Sequence, residues 1–445
     1  MKSDVVIIGA GVSGLATGAL LAKAGKRVTV LEKGNVAGGR ANVREEKGFT
    51  LNYGAHGMYT PESGVLAEVM GRLGRPIPEC GYPQATRSYW QHHDRFASMG
   101  AKPHQLMTTP LFTIGGRLTV AKIMLAIRGE KTAALDPDLT WGQWVASKTG
   151  DPYIHEFMMA FGVVNSYTNP ASDVSAAWFI GHLQRSLFAK DFVGYMHGGW
   201  RSMYDAWIAD IEAGGGTIVT GTAVDALEVA DGRVLASIAG GHRYEAEAFV
   251  STLPPQDAPA LAADGSELAH ELRQWSSLEE VHAYCIDLGF DRVIRGDLSF
   301  VFDVQQTLYY SIHSDSAPDL APPGCQLMHA MAYLTPEEAA SEELRDLRGG
   351  QLRAGLDRYF HGWREAVVVE RAIPDAKVLG ARRTPANIRR LVPLRPAAAP
   401  NLFLANDARD IDRNLSQVSL TAALEVTDAI VRMDAEPADT VAAVA

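Results

Sequence analysis

The sequence predicts an α/β protein in which the chain visits one parallel-sheet domain three times, with an α+β domain interleaved between the visits. Three observations predict it. The chain opens with an apolar run, a glycine-rich turn and a small-residue helix; a glycine turn, short strand and strand meander follow near residue 200; a strand, loop and helix close it after residue 400. The intervening stretches lack that pattern, which assigns 1–80, 198–258 and 375–445 to the parallel-sheet domain and 81–197 and 259–374 to the other. A chain of 445 residues, 47% hydrophobic and 21% charged, is long enough for two cores and excludes disordered, collagen-like and disulfide-scaffold classes.

Composition also narrows the partners. A net charge of −11 with no Lys/Arg run argues against nucleic acid. Cys80, Cys285 and Cys325 show neither CxxC nor Cys/His metal spacing, so no metal site is expected, and a reducing compartment, the cytoplasm, is the expected location. No signal peptide is visible before the first strand, and no window approaches about 18 apolar residues, so no spanning helix is expected. Contact with a membrane surface stays open.

The opening segment carries the first chemistry. Asp4 to Ile8 reads as a strand, Gly9-Ala10-Gly11-Val12-Ser13-Gly14 as a tight turn, and Leu15 to Ala24 as a helix. Gly9 permits the turn, Gly11 lets backbone approach a pyrophosphate at the helix N-terminus, and Gly14 allows the helix to pack on the strand. A second strand, Lys26 to Leu31, ends at Glu32, about 20 positions beyond the glycines, where an acid suits ribose hydroxyls. A surface glutamate after a structural turn is the alternative; strand, glycines, helix and acid together favour a Rossmann-like dinucleotide site.

Glu32-Lys33 is followed by Gly38-Gly39-Arg40 and then by Gly48 through Tyr53-Gly54-Ala55-His56. This run resembles the flavoprotein superfamily of phytoene desaturases, protoporphyrinogen oxidase and flavin amine oxidases. The resemblance implies a glutathione-reductase-type FAD-binding domain and non-covalent FAD, with Gly38, Gly39 and Arg40 along the pyrophosphate and the Tyr53 to His56 segment passing the flavin ring. Physically, paired glycines admit a second loop to the phosphates, and an arginine fork binds them. Ser13, Glu32 and Lys33 complete the implied cofactor set at this end.

Scattered aromatics and no βα alternation make 81–197 read as a largely helical insertion. Leu106 to Arg128 is apolar, interrupted at Gly115-Gly116-Arg117, and reads as a core helix, with a membrane-surface or substrate-entry helix as the alternative. The resemblance resumes at Gly198-Gly199, the helix Ser202 to Ala213, the strand Thr217 to Thr220, a hairpin at Ala230-Asp231-Gly232 and a strand Ala246 to Val250. It implies that the Val224 backbone meets the adenine and that Thr252 belongs to the cofactor site. Between 259 and 374, Tyr284 to Phe290, Leu298 to Val304, Leu308 to Ile312 and Gln326 to Ala332 read as strands and Pro336 to Tyr359 as helices. The Pro/Gly-rich loop Ser314 to Gly324 resembles one in phytoene desaturases.

Near the end, Asn401 to Ala408 resembles the second FAD motif, with Asn406 where the family usually has glycine. The resemblance implies that Asp407 accepts a hydrogen bond from the ribityl chain, and that a helix Ser419 to Met433 starts beneath the ring with Gln417 and Val418 at its approach. The charged residues Arg409, Asp410, Asp412 and Arg413 form either a catalytic patch or a solvated loop, and such charges argue against a plain polyene substrate. The tail after Met433 reads as disordered. Candidate catalytic residues are His56, Tyr195, His197, Tyr310 and Arg409, with Tyr309 and His313 as aromatic wall.

These features imply an FAD-dependent oxidoreductase (desaturase, dehydrogenase or oxidase) that moves a hydride between a largely apolar small molecule and flavin N5, with oxygen, a quinone or another electron acceptor. The alternatives are a non-redox isomerase or hydratase that keeps its flavin reduced, an amine oxidase, and a lipid- or prenyl-binding protein of the same fold. Net flavin bleaching by substrate separates the first from the second, peroxide production from amines marks the third, and failure to bind FAD marks the last.

Overall fold

The computed structural model describes residues 2–53, 56–98, 107–409 and 411–435. A five-stranded, all-parallel sheet runs in the order Thr217–Val219, Val28–Leu31, Val5–Ile8, Ala248–Ser251, Leu402–Leu404, so strands from all three visits of the chain lie side by side. The strands are apolar because helices cover them. Val12–Lys23 packs its glycines and alanines beneath the sheet, against Arg201–Ala213 and the C-terminal helix Ser416–Ala435. The predicted meander is present as Val224–Ala230, Arg233–Ala239 and His242–Glu245.

The second sheet has seven strands, in the order Val367–Leu379, Val281–Phe290, Gln326–Tyr333, Leu308–Ile312, Phe300–Asp303, Ser88–His92, Arg95–Ser98. One face packs on helix Glu342–Tyr359. The other faces a layer of helices that includes Trp141–Lys148, Pro152–Ser166 and Ala176–Ser186. These helices start sharply: Asp151 accepts the Tyr153 and Ile154 N–H groups, and Thr140 with Gln143 forms a capping box, devices worth about 1 kcal/mol each.

The interleaved domain refines the expectations in detail. The segment 81–197 carries the expected helices and, in addition, a hairpin of Ser88–His92 and Arg95–Ser98 whose first strand pairs in parallel with Phe300–Asp303. A partner some 200 positions away leaves no local trace. Gly115-Gly116-Arg117 does not interrupt a helix; it forms the first turn of Ile114–Gly129, where the Thr113 side chain accepts the Gly116 N–H, and Leu106 lies outside the described residues. The strand Val367–Leu379 runs across position 375, so the third visit to the parallel sheet begins inside a strand of the other sheet. Among the described residues, no helix is long and apolar enough to cross a membrane. Of the tail expected to be disordered after Met433, the backbone of residues 434 and 435 still belongs to the helix Ser416–Ala435, and the remainder, from 436 on, lies outside the described residues.

Candidate active site

The nucleotide end is assembled from backbone. A Cβ on Gly14 would lie 2.0 Å from the Gly9 carbonyl oxygen, so only glycine lets the helix come this close to the turn. A Cβ on Gly11 would meet nothing within 4 Å, and the Ser13 hydroxyl is buried without a partner among the described residues. Gly38 donates its N–H to the Ala10 carbonyl at 2.8 Å, which brings Gly39 and Arg40 up beside Gly11. Glu32 receives the Ala10 and Gly34 N–H groups, both at 2.7 Å, and so shapes the glycine turn itself. Thr252 donates its hydroxyl to the Ile8 carbonyl at 2.9 Å, Val224 opens the meander, and Lys33 is exposed nearby.

Asp407 joins the two ends of the site. Its Oδ2 receives the Gly380 N–H and pairs with Arg40, each at 2.9 Å, while its buried Oδ1 has no partner among the described residues. Asn406, standing for the usual glycine, bonds the Leu253 carbonyl at 3.1 Å and so ties the loop to the neighbouring strand end. Open space at Gly11 and orphaned oxygen atoms at Ser13 and Asp407 fit a phosphate- and hydroxyl-rich ligand such as FAD. Gln417 bonds the Thr60 hydroxyl at 3.0 Å, and Val418 is fully buried; both lie in the first turn of the C-terminal helix, which starts three residues earlier than expected.

The sheet end contains residues that the sequence reading did not select. Arg371, Asp287, His329 and Ser311 are cross-strand partners on four neighbouring strands and form one row on one face of the seven-stranded sheet. Two positions along each strand in one direction lie Ile373, Cys285, Met331 and Tyr309, in or against the apolar cluster under the helices; in the other direction Val369 and Leu327 join Phe49 and Leu51 in a second cluster. A polar band thus crosses the sheet between two apolar ones. Asp287 and His329 are fully buried.

Within the band the pairing is tight. His329 Nδ1 bonds Asp287 Oδ1, and Arg371 bonds Asp287 Oδ2 through Nε at 2.7 Å. Burial by itself would raise the Asp287 carboxyl, but the charges and hydrogen bonds of His329 and Arg371 outweigh it and hold the group below its ordinary value. An ionised carboxylate only accepts, so Nδ1 of His329 donates to Asp287, while its Nε2 is buried without a partner among the described residues. His313 stands 4.2 Å from His329, ring to ring, and 3.9 Å from Tyr195. Both its nitrogens are buried and unpartnered among the described residues, and burial followed by the neighbouring His329 and His56 charges keeps it neutral.

The band reaches the nucleotide domain through Arg371, which bonds the Asn52 carbonyl and lies 5.7 Å over the Tyr53 ring. Asn52 in turn receives the Trp200 N–H at 3.1 Å, and His56 meets the Trp200 ring edge-on at 4.9 Å. Gly54 and Ala55 lie outside the described residues. Around this point stand phenols: Tyr195 with Tyr309 at 3.0 Å and Ser311 at 3.2 Å, and Tyr59 with Tyr167 at 3.4 Å, all kept protonated by burial. His182, 5.6 Å from Tyr59, is pushed down to about 3 by burial and by Arg185.

Three catalytic candidates lie elsewhere. Tyr310 points through the opposite face and bonds the Leu352 carbonyl at 3.0 Å, because alternation puts Tyr309 and Ser311 on the site face. His197 turns to Asp319 at 2.7 Å, and Arg409 pairs with Glu425 of the C-terminal helix at 2.5 Å. The neighbouring Asp412 pairs with Arg185 at 2.7 Å, so Arg409 and Asp412 both have charged partners outside the loop; Asp410 is outside the described residues. Part of the signal for the missed set was in the sequence: Asp287 and His329 each stand within a largely apolar strand, where charges are rare unless paired, whereas Arg371 is one of several charged residues in its strand.

Residues 12–410 match the family model of flavin-containing amine oxidoreductases. The chain belongs to this family. This amine oxidoreductase family member is therefore an FAD-dependent oxidoreductase. A 65-residue segment is 49% identical to an all-trans-retinol 13,14-reductase of Macaca fascicularis, covering 15% of this chain and 11% of that protein. A 77-residue segment is 43% identical to a phytoene desaturase of Fusarium fujikuroi, covering 17% and 13%. The match thus spans only a small part of these curated relatives. An oxidoreductase from Methanosarcina mazei superposes with a TM-score of 0.79 at 20% identity, over 96% of this chain and 100% of that one, which shows the fold.

Proposed function

We propose that the protein moves a hydride between flavin N5 and a substrate with a largely apolar body and one hydrogen-bonding group, and that His329 handles the accompanying proton. The observation that carries this reading is the buried Arg371–Asp287–His329 row. Asp287 and His329 are fully buried in the sheet, where charges are costly, and one imidazole nitrogen has no partner among the described residues. Bound FAD supplies the hydride-accepting ring. Asp287 fixes the His329 tautomer, so Nε2 takes up a proton as the substrate is oxidised and returns it in the reverse direction. Arg371 keeps Asp287 ionised and holds the Asn52–Tyr53 backbone that leads to His56.

In this reading the apolar body lies on the aromatic side of the sheet near Tyr195 and Tyr309, and the polar group meets the Tyr333 hydroxyl and His182 Nε2, which are buried without partners among the described residues. Retinol and phytoene, named for the two relatives, are both largely apolar. In this reading 1–80, 198–258 and 375–445 hold FAD, and 81–197 with 259–374 hold substrate.

The test is an anaerobic titration of the FAD-loaded protein with all-trans-retinol, phytoene, an aliphatic diamine and NADPH, followed in the visible spectrum. The expected result is bleaching by an apolar alkene. His329→Gln should keep its FAD yet slow bleaching by about 10²–10⁴-fold. Bleaching by the diamine alone, or a His329→Gln protein as fast as wild type, overturns the proposal. An isomerase would use the same nitrogen, and turnover with no net change in the flavin bands identifies it.

A further inference from the structure

We propose that His92, His93 and Glu156 form a binding site for a divalent transition metal of the zinc class, at the far edge of the seven-stranded sheet. The sequence gives no sign of it, because the histidines end the strand Ser88–His92 while Glu156 lies more than 60 positions on, in the helix Pro152–Ser166. The fold brings the three together. His93 Nε2 lies 2.7 Å and His92 Nε2 3.3 Å from the same oxygen, Glu156 Oε2, and the three donor atoms lie within 4.8 Å of one another.

Adjacent residues of a strand normally point to opposite faces. Here His93 takes a φ of 52°, in the left-handed region, and its ring comes round to the side of His92. Side chains hold that turn in place: Gln305 accepts the His93 N–H at 2.9 Å, Gln91 donates to the His93 carbonyl, and the Tyr153 ring packs 3.8 Å from the His92 ring. His92 is fully buried, whereas His93 and Glu156 are about half exposed, so the site has a rigid wall and a solvent-side entrance.

Two imidazoles and one carboxylate are donors for zinc and its neighbours, and a poor set for magnesium or calcium, which require oxygen. Zinc bonds of about 2.0–2.1 Å place tetrahedral donors roughly 3.4 Å apart. Side-chain rotations of about 1 Å bring these three to that spacing, with the fourth position left to water. The ion would join the edge hairpin to the helical layer. This site is separate from the flavin site and does not rest on the function proposed above.

The test uses the FAD-loaded protein after chelator treatment and dialysis, titrated with zinc chloride by calorimetry and with cobalt chloride by visible absorption. One equivalent of zinc is expected, with tetrahedral or five-coordinate cobalt bands. His93→Ala and Glu156→Gln each remove a ligand and should weaken binding by at least about 10- to 100-fold, the loss seen when only an outer hydrogen-bond partner of a ligand is removed. His155→Ala, outside the cluster, should leave it unchanged, and FAD content should be the same in all. No saturable zinc binding, or a His93→Ala protein that binds one equivalent as tightly as wild type, overturns the proposal.

Discussion

The nucleotide end and the sheet end of the site are built on opposite plans. At the nucleotide end, Gly9, Gly11, Gly14 and Glu32 come from one continuous strand–turn–helix–strand segment: Gly9 has a positive φ, Gly14 allows a close backbone approach, Gly11 faces open space and Glu32 receives a backbone N–H. At the sheet end, Arg371, Asp287, His329 and Ser311 come from four strands and meet only because register places them in one row. The first plan leaves a local pattern that a sequence displays. The second leaves single polar residues inside apolar strands, whose meaning appears only when the strands are paired. The difference teaches where to look in such proteins: cofactor residues in spacing, substrate chemistry in isolated exceptions to burial.

The largest effect should come from the backbone-built end. Gly14→Val would push a side chain into the Gly9 carbonyl, and FAD binding should be lost altogether, read as the disappearance of flavin absorbance in the purified protein. If that variant purifies fully yellow, the close approach is not needed for the cofactor. At the sheet end, Asp287→Ala removes the partner of two groups at once and leaves Arg371 poorly compensated. It should cost about 3–5 kcal/mol in urea unfolding, with Asp287→Asn costing less. Equal stability of Asp287→Ala and wild type would mean that the row is not electrostatically coupled.

A smaller effect concerns pH. The unfolded chain protonates His182 near pH 6.5, whereas the folded one resists until about 3. The stability that comes from keeping this imidazole neutral is therefore complete at pH 7 and declines as pH falls through 6.5, by about 2 kcal/mol at pH 5. Urea unfolding of wild type and His182→Phe at the two pH values checks this, the variant losing that much less on acidification. The smallest effect should be at the Arg409–Glu425 pair. Glu425 is 43% exposed, so Glu425→Gln should change stability by no more than about 1 kcal/mol and leave flavin reduction untouched; a large loss of rate would return Arg409 to the chemistry.

The same contrast explains how much was legible. The parallel sheet, the meander and the C-terminal helix follow from turn glycines and apolar runs, and their observed bounds differ from the expected ones by only a few residues. Asp407 was singled out through the resemblance to the second FAD motif; it stands three residues beyond the strand Leu402–Leu404, paired with Arg40. The hairpin Ser88–His92 with Arg95–Ser98 was not, because its stabilising partner is distant in sequence and its aromatics pack on both faces. Tyr310 was chosen over Tyr309 because adjacent tyrosines on one strand look alike until the face is known. The charged stretch 409–413 stayed open between a catalytic patch and a solvated loop for want of its partners: Glu425 pairs with Arg409 and Arg185 with Asp412, and neither can be matched to them by spacing.

The central claim is that an FAD-dependent oxidoreductase carries its proton-handling group in the sheet, at His329, and not in the charged loop. Its most direct test is anaerobic stopped-flow reduction of the bound flavin by the alkene that bleaches it, in wild type, His329→Gln and Glu425→Gln. The account predicts full FAD content in all three, a wild-type rate for Glu425→Gln, and a rate lowered by about 10²–10⁴-fold for His329→Gln. A His329→Gln protein that reduces its flavin as fast as wild type would contradict it.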